Sequence, residues 1–315
     1  MGGDAAPLIS TAAAPVPEGA AAEWVRGDGG ARLRAALFAA TAPSSGSVIL
    51  SPGRSEPIEK YFEAVGRLTG AGFTVLAHDW RGQGLSRSAR DGPRGDARGW
   101  RPFVADFQRL LAAFADRLPK PWLAIGHSMG GCLTLLAMAE GETRFAATLL
   151  SAPMLGLNTG DIPEPAARLA ARISTLFGRG SQPATKASAA PDAFSRNILT
   201  HDANRYARNL AQIVEAPQLA VGAPTWGWLD FAFAATRRLA VGAGAAMIAT
   251  PLTAVLAGDE KLVDNVAARR TLARVQGARV VEAPGAYHEL MQETDTVQTL
   301  FWAEFDALVD RLRGG

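Results

Sequence analysis

Trp122-Leu-Ala-Ile-Gly126-His127-Ser128-Met129-Gly130-Gly131, followed by Cys132-Leu-Thr-Leu-Leu-Ala-Met-Ala139, reads as an apolar strand, a sharp turn and an apolar helix. In that setting the pattern GxSxG is a nucleophile elbow. A serine at such a turn needs small residues two positions to either side, because a side chain there would meet the adjoining strand and helix; Gly126 and Gly130 supply them. The turn lifts the Ser128 hydroxyl out of the carboxyl end of a sheet and aims the first helical N–H groups, including that of Met129, at the oxygen it would attack. The expected chemistry is acyl transfer.

A serine nucleophile needs a base, and the chain has four histidines: His78, His127, His201 and His288. His127 adjoins the serine and is expected to project to the other side of the turn. His78 closes a core strand, and His201 lies in a region without strand signals. His288 remains. It follows the strand-like Ala278-Arg-Val-Val-Glu-Ala283 and the turn Pro284-Gly-Ala-Tyr287, which places it on a loop at the edge where Ser128 points. The acid should lie after another core strand, between serine and histidine in chain order, to hold the imidazole tautomer. Pro251-Leu-Thr-Ala-Val-Leu-Ala-Gly258 delivers Asp259, Glu260 and Asp264. Glu260 is the preferred acid and Asp259 the reserve, whereas Asp264 is read as capping the next helix.

Further apolar runs, Ser47-Val-Ile-Leu, Phe73-Thr-Val-Leu-Ala, Phe145-Ala-Ala-Thr-Leu-Leu and Arg279-Val-Val-Glu-Ala, alternate with helical periods around Trp100–Phe114 and Val297–Val309. The alternation predicts an α/β fold with a doubly wound, mostly parallel sheet, opened by a hairpin over Ala22–Phe38. Residues 23–153 and 245–315 form this core. Residues 154–244 lack the alternation and are expected to form an inserted helical cap. Residues 1–22, rich in Ala, Pro and Gly, read as a disordered tail. Within the cap, Ala166–Arg179 is a basic amphipathic stretch, and Trp226, Trp228 and Phe231 are candidate contacts for an acyl chain. If Leu169, Ile173, Leu176 and Phe177 do not simply pack the cap onto the core, Arg168, Arg172 and Arg179 would hold the chain to an anionic lipid surface.

Composition sets bounds. At 315 residues and 48% hydrophobic the chain can bury a full core, and 32 Lys plus Arg against 30 Asp plus Glu leaves a net charge of +2 without a basic cluster, which argues against nucleic acid. The single cysteine, Cys132, excludes an internal disulfide and fits a reducing, cytoplasmic setting. The uncharged stretch Leu239–Gly258 is broken by Pro251 and glycines and reads as core, not membrane.

With Ser51-Pro-Gly-Arg-Ser-Glu-Pro-Ile-Glu-Lys-Tyr61, Arg81-Gly-Gln-Gly-Leu-Ser86, Gly126–Gly131 and Gly285-Ala-Tyr-His-Glu289, the chain from about Glu23 onward resembles the bacterial lysophospholipase and monoacylglycerol lipase branch of the α/β-hydrolases. The resemblance implies a serine carboxylic-ester hydrolase that cleaves a small amphiphilic lipid ester through an acyl-enzyme, with no metal and no organic cofactor. It implies the backbone N–H of Arg54 as first oxyanion donor beside that of Met129. The Arg54 side chain has its own reading as a surface partner of Glu56 or Glu59. One departure concerns the acid: the family's aspartate position holds Glu260. Lys60, Asp79, Arg81, Gly82, Gly84 and Ser86 are read as shaping loops. The competing readings are a short-chain esterase, a proline-type aminopeptidase, which should need cap carboxylates to hold an amino terminus, and a non-catalytic receptor on the same fold. Location is expected in the cytoplasm or at the inner membrane surface.

Overall fold

The most apolar runs in the chain become the centre of one sheet. In the computed structural model, which describes residues 4–87, 97–185 and 193–314, every residue of β3 (Gly46–Ser51), β4 (Phe73–His78), β5 (Trp122–His127) and β7 (Leu252–Ala257) is buried. A strand covered on both faces has no polar side to show, which is why these segments lack alternation. With β6 (Phe145–Ser151) they form a parallel block. The hairpin β1 (Ala21–Arg26) and β2 (Arg32–Phe38) adds antiparallel to β4, and β8 (Arg279–Ala283) closes the other edge, giving the order β1-β2-β4-β3-β5-β6-β7-β8.

Helices cover both faces. α1 (Phe62–Gly70) and α8 (Asp295–Gly314) bring Val65, Leu68, Phe301 and Phe305 to one apolar layer. α2 (Arg101–Phe114), α3 (Met129–Ala139) and α7 (Asn265–Leu272) bring Phe103, Phe107, Leu133 and Leu272 to the other. Between β6 and β7 the chain makes α4 (Glu164–Ser174), α5 (Ala203–Glu215) and α6 (Trp226–Ala240). α6 packs against both α3 and α4, so α3 has neighbours all round and is buried along almost its whole length. α5 begins at the Asp202 cap and is tied to the core by Arg205, which pairs with Glu63 of α1 and Asp295 of α8.

The amino-terminal segment differs from expectation. Residues 1–3 lie outside the described residues, but residues 4–22 are not a free tail. Trp24 N–H donates to the Asp4 carbonyl, Ala6 N–H to that of Ala22, and Ala14 and Thr11 are buried. The segment also reaches a fully buried ion cluster. Arg34 is 0% exposed and binds both carboxylate oxygens of Glu59 at 2.6 and 2.7 Å and Asp79 at 2.8 Å. Its remaining donor goes to the Pro7 carbonyl, and Ile9 N–H donates to Glu59. Polar anchoring of this kind leaves no apolar period, so composition alone misreads it. Deleting residues 1–16 takes partners from Arg34 and Glu59, and removing partners from a buried charge is costly. Calorimetry of the truncated chain should show Tm several degrees lower, whereas a disordered tail could be removed without effect.

Candidate active site

Ser128 sits where β5 ends and α3 begins, with φ +50° and ψ −116°. A non-glycine residue in this region carries strain of roughly 1–3 kcal/mol and persists only where its surroundings dictate it. Here they do. Ser128 N–H donates to the Ser151 carbonyl at 3.0 Å, and the Ser128 carbonyl accepts from Met154 at 3.0 Å and Cys132 at 3.1 Å. A Cβ on Gly130 would lie 2.3 Å from the Ser51 carbonyl oxygen and 2.4 Å from that of Pro52; on Gly126 it would lie 2.7 Å from Gly131 Cα. The glycine spacing is thus a packing requirement.

The β7–α7 and β8–α8 loops bring the partners. His288 Nε2 lies 2.8 Å from Ser128 Oγ, and His288 Nδ1 lies 2.7 Å from Glu260 Oε2. A carboxylate only accepts, so Nδ1 carries the proton and Nε2 is left to accept one from serine. The other Glu260 oxygen accepts from Leu262 N–H at 2.7 Å and Val263 N–H at 3.3 Å. Burial alone would raise this carboxyl, but the His288 contact and the two N–H groups outweigh it and hold it below its ordinary value. Asp259, the reserve acid, turns away and pairs with Lys261. Asp264 caps α7 through Val266 and Ala267 N–H.

Arg54 lies on the loop after β3. The N–H groups on either side of it are taken, that of Gly53 by Glu56 at 2.5 Å and that of Ser55 by Gln83 at 2.7 Å. The Arg54 side chain does not pair with Glu56 or Glu59, whose carboxylates are held by Lys60 and Arg34; it reaches Ser55 Oγ and the Gly222 carbonyl and lies 5.2 Å from the Trp228 ring. Burial pushes its guanidinium down to about 10. Met129 opens α3, and an N–H in the first turn has no partner within its helix. Of the three aromatic residues expected to meet substrate, Phe231 instead stacks on Phe103 with ring centres 4.8 Å apart and is core packing. Trp228 is buried beside Arg54, and Trp226 is half-buried.

Two features escape the sequence reading. His127 does not project away: its ring centre lies 4.8 Å from that of His288, with Nδ1 against Ser151. Lys60, read as shaping a loop, is buried between Glu56 and Glu289, and the four-residue Glu56–Lys60 spacing was the only local signal for it. Cys132 is buried, and burial pushes its thiol up to about 12, which disfavours the thiolate. Among the described residues no His, Cys, Asp and Glu cluster could hold a metal.

Comparison with known proteins agrees with this geometry. Residues 42–295 match the family model Hydrolase_4, described as serine aminopeptidase, S33. Lysophospholipase L2 of Escherichia coli is 34% identical over 270 residues, covering 80% of this chain and 77% of that protein. A monoacylglycerol lipase of Mycolicibacterium smegmatis is 26% identical, covering 85% and 90%. Among solved structures, a soluble variant of monoglyceride lipase from Saccharomyces cerevisiae superposes with a TM-score of 0.72 at 18% identity, covering 97% of this chain and 100% of that one. A monoacylglycerol lipase of Paleococcus ferrophilus gives a TM-score of 0.69 at 20% identity, covering 88% and 98%. These structural likenesses establish the α/β-hydrolase fold.

Two measurements follow from the site. Glu260→Gln should lower kcat on the order of 10³-fold by disturbing the imidazole tautomer, while Asp259→Asn, which breaks only an exposed pair, should stay within about twofold; steady-state kinetics on a nitrophenyl ester distinguishes them. Burial pushes His78 down to about 3 and His127 down to about 4, from an ordinary 6.5. Between pH 6.5 and 4 the unfolded chain therefore binds more protons than the folded one, so stability falls as pH falls through that window. Tm against pH should show this loss, and His78→Asn should flatten it.

Proposed function

The chain belongs to the serine aminopeptidase S33 (Hydrolase_4) family of α/β-hydrolases, and from that premise we propose that it cleaves the acyl ester of a lysophospholipid or monoacylglycerol through an acyl-enzyme on Ser128. The observation that carries the chemistry is the unbroken line Ser128 Oγ, His288, Glu260, at 2.8 and 2.7 Å. The substrate class rests on the similarity to lysophospholipase L2 over four-fifths of the chain.

In this reading Ser128 Oγ attacks the ester carbonyl while its proton passes to His288 Nε2. Glu260 stabilises the imidazolium that results, and Arg54 and Met129 N–H groups receive the oxyanion. Collapse of the tetrahedral intermediate returns the proton to the leaving alcohol oxygen. Water, deprotonated by the same imidazole, then attacks the acyl-serine and releases the fatty acid. An aminopeptidase would need a carboxylate for the substrate's ammonium. Among the described residues of the insertion, Glu164, Asp202 and Asp230 are each paired with an arginine, while Asp161 and Glu215 are exposed, so the preference for an ester rests on the similarity to lysophospholipase L2.

The insertion acts, in this account, as a cap and as the lipid-facing surface. It reaches the catalytic loops directly, through the Gly222 carbonyl on Arg54 and the Leu199 carbonyl on Glu289 N–H. On α4 and the turn after it, Leu169, Ile173, Leu176 and Phe177 are 59%, 44%, 67% and 80% exposed beside Arg168, Arg172 and Arg179. An apolar stripe bordered by Arg179 and by Arg168 and Arg172, which are paired with Glu164 and Asp230, suits the surface of an anionic bilayer. No helix among the described residues is long and apolar enough to cross a membrane. The lone Cys132 suits a reducing, cytoplasmic side.

The test of substrate class is hydrolysis of short-chain nitrophenyl esters, monoacylglycerol and lysophosphatidylcholine by wild type and Ser128→Ala. Long-chain monoacyl lipids should be preferred and the variant inactive. Preference for short esters would replace the lipase reading with a general esterase. For the surface, Leu176→Asp with Phe177→Asp should reduce co-sedimentation with anionic vesicles by about tenfold, the cost of withdrawing two apolar side chains from the interface. Unchanged sedimentation would rule out this face.

A further inference from the structure

Behind the imidazole lies a buried group of charges that the proton relay does not use. Lys60 Nζ binds Glu56 Oε1 at 2.7 Å and Glu289 Oε1 at 2.5 Å, and all three side chains are at most 10% exposed. Each carboxylate leads to a different part of the catalytic machinery. Glu56 Oε2 accepts from Gly53 N–H at 2.5 Å, one residue before Arg54, and from Tyr61 Oη at 2.5 Å. Glu289 directly follows His288, and its own N–H is held by Leu199. The Lys60 carbonyl accepts from Gln292 Nε2 at 3.2 Å, a second tie between the same two loops. Glu56 Oε1 also stands 3.5 Å from His127 Nε2, and the His127 ring packs beside His288.

We propose that Lys60 is a positioning residue: by holding Glu56 and Glu289 together it fixes the oxyanion loop after β3 relative to the histidine loop before α8. This rests on the serine-hydrolase reading but not on the identity of the lipid. Hydrolysis needs the ester carbonyl oxygen near the Arg54 N–H and the ester oxygen near His288 Nε2 at one moment. Lys60 and Glu289 are 229 residues apart in sequence. Their relative placement is therefore a tertiary matter, and a three-membered ion cluster with short, directed contacts restricts it more tightly than apolar packing.

The charge balance has a second effect. Burial raises the Glu56 carboxyl, yet Lys60 and the bonds to it bring it down to about 2, and Lys60 is held above its ordinary value because the two carboxylates outweigh its own burial. Without the ammonium, two carboxylates would face one another and the imidazole. Lys60 pairs with Glu56 and Glu289; Glu56 stands 3.5 Å from His127, whose ring packs beside His288, and Glu289 adjoins His288 in the chain, so a charge lost at Lys60 reaches the imidazole through these neighbours.

The test uses nitrophenyl butyrate, so that acyl-chain recognition does not enter, with active sites counted by a fluorophosphonate titrant. Lys60→Met and Glu289→Gln should each lower kcat per titrated site by about 10- to 100-fold, the size of effect that a misplaced catalytic group or a weakened oxyanion donor produces, with KM changed much less. The double variant should be no worse than the worse single, because both remove the same tie. Lys60→Arg should recover most of the rate. The acid limb of kcat/KM should move to higher pH in Lys60→Met, where negative charge is left near His288, and to lower pH in Glu289→Gln. Variants that lose Tm but keep wild-type kcat per titrated site and an unmoved pH profile would reduce the cluster to a structural role and overturn the proposal. Should Lys60→Met fail to fold, Glu289→Gln and Lys60→Arg decide the matter by the same readouts. Wild type inactive on every ester would instead defeat the proposed function.

Discussion

The molecule is organised around the close approach of Gly130 to the carbonyls of Ser51 and Pro52. That approach leaves no room for a methyl group, and two residues earlier the backbone at Ser128 turns through a positive φ, held by its bonds to Ser151, Met154 and Cys132. Because Ser51 ends β3 and Ser128 follows β5, the neighbouring strands deliver the Arg54 loop and Ser128 to the same place. The β6 end, through the Ser151 carbonyl, fixes the Ser128 N–H. Strain at one residue is tolerable because the parallel sheet behind it is buried on both faces and does not yield.

Buried charge is the second theme. Glu260, Glu56, Glu59, Asp79, Lys60 and Arg34 are all withdrawn from water, and each would be expensive alone, since breaking a buried pair by removing one partner costs about 3–5 kcal/mol. None stands alone here. Arg34 joins β2, β4 and the segment before α1, while Lys60 joins the loops carrying Arg54 and His288. Such pairs add little net stability over apolar packing, and their directed contacts suit them to set position. In this protein the buried ions lie where two segments must keep register.

The elbow, the sheet and His288 are legible in the sequence for physical reasons. Steric demand at Gly126 and Gly130 leaves few alternatives, two-sided burial writes itself as apolar runs, and four histidines permit elimination. The choice between Glu260 and Asp259 is not legible. It is made by backbone N–H groups of Leu262 and Val263, which draw Glu260 inward, and by Lys261, which draws Asp259 out. Phe231 looks like a substrate contact in sequence because aromatic residues serve pockets and cores alike, and only Phe103 opposite it decides for packing. The ordering of residues 4–22 and the Lys60–Glu289 pair depend on polar contacts between distant segments, which neither periodicity nor composition encodes.

The claim at the centre of this account is that Ser128 carries the acyl group of a monoacyl lipid during turnover. Rapid acid quench of wild type with excess long-chain monoacylglycerol or lysophosphatidylcholine, followed by peptide mass spectrometry, tests it directly. The acyl mass is expected on the peptide containing Ser128 and absent in Ser128→Ala. Product release without any acyl-serine, or with the adduct on another residue, would contradict it.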